Sequence, residues 1–220
     1  YFSFTGKINA RDFDLGTLLD RHESIGLITL SATASGYSSD RDLKADVKGE
    51  VNSFFIKGYQ YRNIQLAGTI SNKTYNGSLY INDPNINLDF RGKVDFASES
   101  GIYDFSANVT RANLFALNLD KTDPAFTISF YMEANATGRS LADLNGEVKL
   151  LNSLFEKKNK QLQIYDFSLR SNSHPGHQAL RLRSDFLEAD LSGDYDLTQI
   201  RHFFSLLLHT YLPSLVDTSG

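Results

Sequence analysis

Apolar and polar residues alternate strictly through most of this chain, and that pattern constrains its fold more than any other feature. A period of two places one set of side chains on a buried face and the other in water, which is the signature of a half-buried β-strand. The clearest segments are Ile64-Gln65-Leu66, Ser78-Leu79-Tyr80-Ile81, Ile86-Asn87-Leu88-Asp89-Phe90, Lys93-Val94-Asp95-Phe96, Tyr103 to Val109, Phe126 to Met132, Gln161 to Ile164 and Leu180-Arg181-Leu182-Arg183. Between them Asn76-Gly77, Asp83-Pro84-Asn85, Arg91-Gly92 and Ser173-His174-Pro175-Gly176 read as turns. Their close spacing predicts short strands in an antiparallel meander of hairpins and excludes a cadence of βαβ units.

Self-comparison shows two collinear copies of one pattern, offset by about 101 residues. Phe4-Thr5-Gly6-Lys7-Ile8 answers to Phe105-Ser106-Ala107-Asn108-Val109, Ala34-Ser35-Gly36 to Ala136-Thr137-Gly138, and Gly49-Glu50-Val51 to Gly146-Glu147-Val148. Tyr61 to Leu66 answers to Ile164 to Leu169, and Leu88 to Phe96 to Ala189 to Leu197. Residues 1–100 therefore read as a first β repeat and 101–197 as a second, an arrangement that favours an elongated sheet over a globule with one unique pocket.

One segment departs from the alternation. Ile200, Phe203, Phe204, Leu207, Leu208, Tyr211 and Leu212 follow helical spacing behind Thr198, predicting an amphipathic helix over 198–213 that caps the apolar end of the sheet, with 214–220 as a tail. A shorter helix is expected over Phe13 to Leu19, with Asp12 as its cap.

The chemistry of catalysis has little to stand on. With no Cys there is no thiolate nucleophile, thiolate metal site or disulfide framework. His174 and His177 flank a turn without further ligands in sequence reach, and the pairs Asp12/Asp14, Asp40/Asp42 and Asp194/Asp196 have the spacing of strand solubilisers. No Gly-x-Ser-x-Gly, Walker or dinucleotide pattern is present. The expectation is a non-enzymatic protein without cofactor or metal. Twenty-two Lys and Arg against 26 Asp and Glu leave a net charge of -4 and no basic face for nucleic acid. Lys157-Lys158-Asn159-Lys160 reads as a solvated hairpin tip, and the sequons at Asn72, Asn76, Asn108 and Asn135 as chance occurrences in an Asn-rich β protein. No run is long enough to span a bilayer, and Tyr1 to Gly6 lacks a signal layout, so the chain reads as an interior piece or processed C-terminal portion of a longer one.

Three stretches carry a family resemblance: Gly36 through Asp42-Leu43-Lys44-Ala45-Asp46-Val47 to Gly49-Glu50-Val51; Tyr59 to Gly68 running on through Gly77 to Gly92; and the closing Tyr211-Leu212-Pro213-Ser214-Leu215. In these the chain resembles the AsmA/TamB superfamily, and most closely TamB-like proteins of Bacteroidetes-type bacteria. The resemblance implies a long antiparallel sheet curved into a taco-like hydrophobic trough, part of a periplasmic bridge anchored in the inner membrane outside this segment. It implies passage of phospholipid, or another acyl-chain ligand, between inner and outer membranes and support of outer-membrane biogenesis, with an outer-membrane β-barrel as a possible partner. The alternation names the expected groove lining: Ile64, Leu66, Leu79, Ile81, Ile86, Leu88, Phe90, Val94 and Phe96, with Phe126, Ile128, Phe130, Leu162, Ile164, Leu180, Leu182 and Leu191 in the second copy. Two other readings stay open: a surface adhesin or carbohydrate-binding β-sandwich whose Tyr and Phe side chains form the binding face, and an edge-strand docking subunit for β-barrel assembly.

Overall fold

The computed structural model describes residues 1–18, 20–39, 42–139, 143–158, 160–174 and 177–193. The expected capping helix, with Ile200, Phe203, Phe204, Leu207, Leu208 and Tyr211, lies outside the described residues, as do Leu19, Asp40, Asp194 and Asp196.

Twelve strands form one antiparallel sheet in sequence order: β1 (Phe2–Asp14), β2 (Ile25–Ser38), β3 (Leu43–Ile56), β4 (Tyr59–Ser71), β5 (Thr74–Asp83), β6 (Ile86–Asp95), β7 (Ile102–Asn113), β8 (Thr127–Thr137), β9 (Asn145–Lys157), β10 (Lys160–His174), β11 (His177–Ser184) and β12 (Glu188–Gly193). The sheet is all-β apart from one helical turn, and it curls without closing into a barrel. Because every described strand belongs to this single sheet, the two-sheet sandwich is not its architecture.

The strands are longer than the alternation alone suggests. Ile86 to Phe90 and Lys93 to Val94 belong to one strand, and Arg91-Gly92 lies inside it. Asn76-Gly77 is likewise interior to β5, where Asn76 faces Thr69 and Gly77 faces Gly68. These two dipeptides are therefore not turns. Gly68, Gly77 and Gly92 instead stand side by side across three strands. One tight hairpin turn is Lys57-Gly58, whose positive φ values of 47° and 81° suit a two-residue type I′ connection between Ile56 and Tyr59. Asp83-Pro84-Asn85 does turn the chain, with Asp83 Oδ1 accepting the Asn85 N–H at 2.8 Å. The Lys157 to Lys160 segment joins β9 to β10, and His174 pairs with His177 where β10 meets β11.

A line of bulges crosses the sheet. Extra residues interrupt the pairing at Arg11-Asp12 in β1, Asn52 in β3, Thr110-Arg111 in β7 and Asn152 in β9. Asp12, Asn63 and Asn152 sit at positive φ of 49° to 51°, a conformation that Asn and Asp tolerate better than most residues. Each bulge adds local twist and bends its strand, so the line acts as the crease of the curl. It also moves the alternation by one residue. On β3 the apolar face runs Val47, Gly49, Val51 and then Phe54, while β4 runs Leu66, Ile64 and then Tyr61.

The first connection of each six-strand half is built alike. After β1, Asp14 Oδ1 accepts the Thr17 N–H at 2.9 Å and caps the single turn α1 (Leu15–Leu18). After β7, Asn113 Oδ1 accepts the Ala116 N–H at 2.9 Å. The cap of α1 is thus Asp14, whereas Asp12 bonds Thr29 on the neighbouring strand and Phe13 belongs to β1. The shift by two follows from the bulge, which turns Asp12 back over the sheet.

Candidate apolar groove

Antiparallel register carries one face across the whole sheet. One row reads Ala10, Leu30, Val51, Ile64, Ile81, Leu88, Val109 and Phe130. The next reads Ile8, Ala32, Gly49, Leu66, Leu79, Phe90, Ala107, Met132, Leu150 and Phe167. Ile86 and Val94 lie on this face of β6, Ile128 on β8 opposite Phe155 and Leu162, and Ile164 opposite Ser153. Leu180, Leu182 and Leu191 extend it to the far edge, where Leu191 pairs with Leu180. Phe96 and Phe126 continue it one residue beyond the ends of β6 and β8. The register therefore brings the expected lining together on a single face.

That face is only partly covered. Ile28, Val51, Ile64 and Ile81 pack into one buried cluster and Val109, Ala112 and Leu117 into a second, with Ile86 and Leu88 touching both. Away from these clusters cover thins, since Phe96 is 61% exposed and Leu191 39%. Between the clusters and these ends, Leu30, Leu66, Leu79, Leu88 and Phe90 are half-buried, so part of the apolar face stays in contact with solvent.

One long side of the face is walled. Residues 114–126, which join β7 to β8, cross the end of the β5–β6 hairpin and reach the β3–β4 turn, where Asn118 Nδ2 donates to the Lys57 carbonyl at 3.3 Å. Leu117 at 1% exposure packs into the second cluster beside Tyr59 and Tyr61. Asp83, itself buried, ties β4 to the end of β5 beside the wall: Oδ2 accepts the Arg62 N–H at 2.9 Å and Oδ1 accepts the Tyr59 hydroxyl. Burial, reinforced by the hydrogen bond to Asp83, raises the Tyr59 phenol above its ordinary pKa, and burial raises Tyr61 likewise. Replacing Asp83 with Asn keeps the shape but sets an NH₂ against one of these donors. We expect Asp83→Asn to cost about 2 kcal/mol, read as a lowered urea midpoint at unchanged slope.

The glycine row makes a notch in the middle of the face, and aromatic rings fill it. The Tyr75 hydroxyl donates to the Ser78 carbonyl at 2.7 Å, so the ring lies along its own strand past Gly77. Its ring is 6.3 Å from Phe90, which is 5.1 Å from Phe105, the residue paired with Gly92. Burial raises the Tyr75 phenol too.

The opposite face is polar. Arg91 meets Asp89 at 3.2 Å, Arg170 meets Glu147 at 3.1 Å, and Arg183 meets Glu188 at 2.7 Å. Such exposed pairs add little stability each, but they keep this face in water. A concavity of about 510 Å³ lies here across β1 to β5, lined by Lys7, Thr33, Lys48, Glu50, Gln65 and Tyr80 among others. A twisted sheet is concave along one diagonal of each face, which accounts for a hollow on the polar side.

Several residues of this face carry little signal in the sequence. Ile8, Leu30 and Val51 alternate visibly, but the Ala and Gly residues between them dilute the apolar signal. Tyr59, Tyr61 and Leu117 have no such signal, because they reach the face past the positive-φ Asn63 or through a connection. Among the described residues no cluster of His, Asp and Glu is arranged to hold a metal ion, and no helix is long and apolar enough to cross a membrane. Compared with protein-family models, curated proteins and solved structures, the chain gives no match.

Proposed function

We propose that this chain is a segment of a periplasmic bridge that carries phospholipid acyl chains along the apolar face of its curled sheet, between inner and outer membranes, in support of outer-membrane biogenesis. The observation that carries the reading is the row from Ala10 to Phe130, an apolar strip that runs across the strands and, among the described residues, has no second sheet over it. Neighbouring strands are about 4.8 Å apart, so the twelve of them lay out a path of roughly 50 Å. Contacts along it are non-directional. Each methylene buried contributes about 0.8 kcal/mol, which holds a tail without fixing its position, as sliding requires. The wall of residues 114–126 shields one side of this path, and the exposed Phe96 marks the other as the open lip. The reading agrees with what the resemblance to the AsmA/TamB superfamily implies, and it gives the protein a binding role without catalysis.

The test is native mass spectrometry of the chain after incubation with phospholipid vesicles, with lipid analysis of what dissociates. Leu88→Glu places a carboxylate between the two clusters, and loss of a few methylene contacts there is expected to weaken lipid retention roughly ten-fold. Ser78→Glu, on the polar face of β5, is expected to retain lipid like the wild type, with both variants folded by circular dichroism. A wild type that takes up no lipid, or equal loss in both variants, would overturn the proposal.

A further inference from the structure

The hollow on the polar face has the makings of a second site. Register sets two neighbouring rows across it. One reads Lys7, Thr33, Lys48, Ala67 and Ser78, and the other Ser31, Glu50, Gln65 and Tyr80. Ser31, Thr33, Ala67 and Ser78 are short and leave the sheet low between the long side chains of the two rows, which makes the concavity of about 510 Å³. Sites for small ligands occupy roughly 300 to 1,000 Å³. From β1 to β5 the hollow crosses four strand spacings, roughly 19 Å. Elsewhere on this face the charges answer one another: Arg91 meets Asp89, Lys149 and Arg170 both meet Glu147, Arg181 meets Asp190 and Arg183 meets Glu188. Around the hollow they do not. Among the described residues Lys7, Lys48 and Glu50 form no ion pair, the Gln65 amide and the Tyr80 hydroxyl have no hydrogen-bond partner, and all five stand in solvent.

We infer that this hollow binds an acidic oligosaccharide, a short stretch of a polysaccharide that carries carboxylates. Sugar hydroxyls donate and accept hydrogen bonds at once, and the rim supplies partners for both. The Lys7 and Lys48 ammonium groups, the Gln65 amide and the Tyr80 hydroxyl donate, while the Glu50 carboxylate and the Gln65 carbonyl accept. The Tyr80 ring, 39% exposed, offers a flat apolar surface to the C–H face of a sugar ring. Two lysines against one carboxylate leave the rim positive, which favours a sugar that carries a carboxylate over a neutral one. Glu50, beside Lys48 on the same face of β3, sets the site against a nucleic acid, whose phosphates repeat at every unit. A lipid tail finds little but the Tyr80 ring as apolar contact, so this site is separate from the groove on the other side of the sheet. Its length across four strand spacings suits several linked rings better than a single sugar.

The test is calorimetric titration of the whole chain with a tetrasaccharide of galacturonic acid, and in parallel with the neutral tetrasaccharide of galactose. The acidic sugar is expected to bind at least about ten-fold more tightly than the neutral one. Lys48→Gln removes one charge-assisted hydrogen bond and should weaken the acidic sugar about ten-fold. Tyr80→Ala removes the stacking surface and should weaken it about five-fold. Lys149→Gln, an exposed lysine of the same face outside the hollow, should bind like the wild type, with all three variants folded by circular dichroism. No binding at millimolar sugar, or equal binding of the neutral sugar, would overturn the inference. Equal loss in Lys48→Gln and Lys149→Gln would overturn it too, because it would show a diffuse attraction to the lysines of the face and no built site. Lipid is absent from every arm, so failure here is separate from failure of the groove.

Discussion

Gly92→Val should unfold the protein or cost at least about 4 kcal/mol, within the range that only severe backbone conflict reaches. Two causes add. Gly92 has φ of +138°, where an L side chain is strained. Its added Cβ would also stand 2.3 Å from the Asp104 carbonyl oxygen and 2.4 Å from the Phe105 Cα, both backbone atoms of the adjacent strand that cannot swing away. The β6–β7 pairing joins the two halves of the sheet, so the damage falls where the curl is continuous. Gly6→Val is the informative comparison. A Cβ there meets nothing within 4 Å, and valine suits a strand, so its effect should stay within about 0.5 kcal/mol. Urea midpoints of both variants decide the matter. Equal, small effects would mean that the glycine row is a matter of composition and not a close approach of three backbones.

Leu117→Ala is expected to cost about 3 kcal/mol, the middle of the range for emptying a closed leucine site. Leu117 is the side chain that fixes residues 114–126 over the end of the β5–β6 hairpin, packed against Val109, Ala112 and the tyrosines of β4. Removing it leaves a void that the sheet cannot collapse into, because the Asn118 to Lys57 bond and the Asp83 bonds still hold the surroundings apart. Leu119, two residues on and 58% exposed, should tolerate alanine with little change. Hydrogen exchange adds a local readout. In Leu117→Ala, protection should fall first in 114–126 and at Tyr59 to Tyr61, whereas uniform loss across β1 to β12 would show that the segment is no separate wall.

Both predictions concern places where sequence and structure part company. Asn76-Gly77 and Arg91-Gly92 have the chemistry of hairpin turns, since glycine permits the positive φ that a type I′ turn needs. In the sheet the same glycines serve close packing between strands, and the ring of Tyr75 covers the backbone they leave bare. Local propensity is the same in both settings. Only the identity of the cross-strand neighbour separates them, and that neighbour lies nine or more residues away, Gly68 for Gly77 and Phe105 for Gly92.

Alternation by itself determined that the chain is all-β, antiparallel and apolar on one face, because a period of two is imposed by the pleat and survives any arrangement of the strands around it. It also determined which of Ile64, Leu66, Ile81, Leu88 and Phe90 share a side. The tertiary structure alone decided where the face bends and what closes it. A bulge at Asn52 or Asn152, or the positive φ of Asn63, moves the alternation by a single residue, a shift too small to stand out in the sequence yet enough to carry Phe54 and Tyr61 onto the apolar side. The wall depends on Asn118 meeting Lys57, and the tyrosine beside it on Asp83, which also meets Arg62. Those contacts exist only once the intervening strands have paired, and no local signal encodes them.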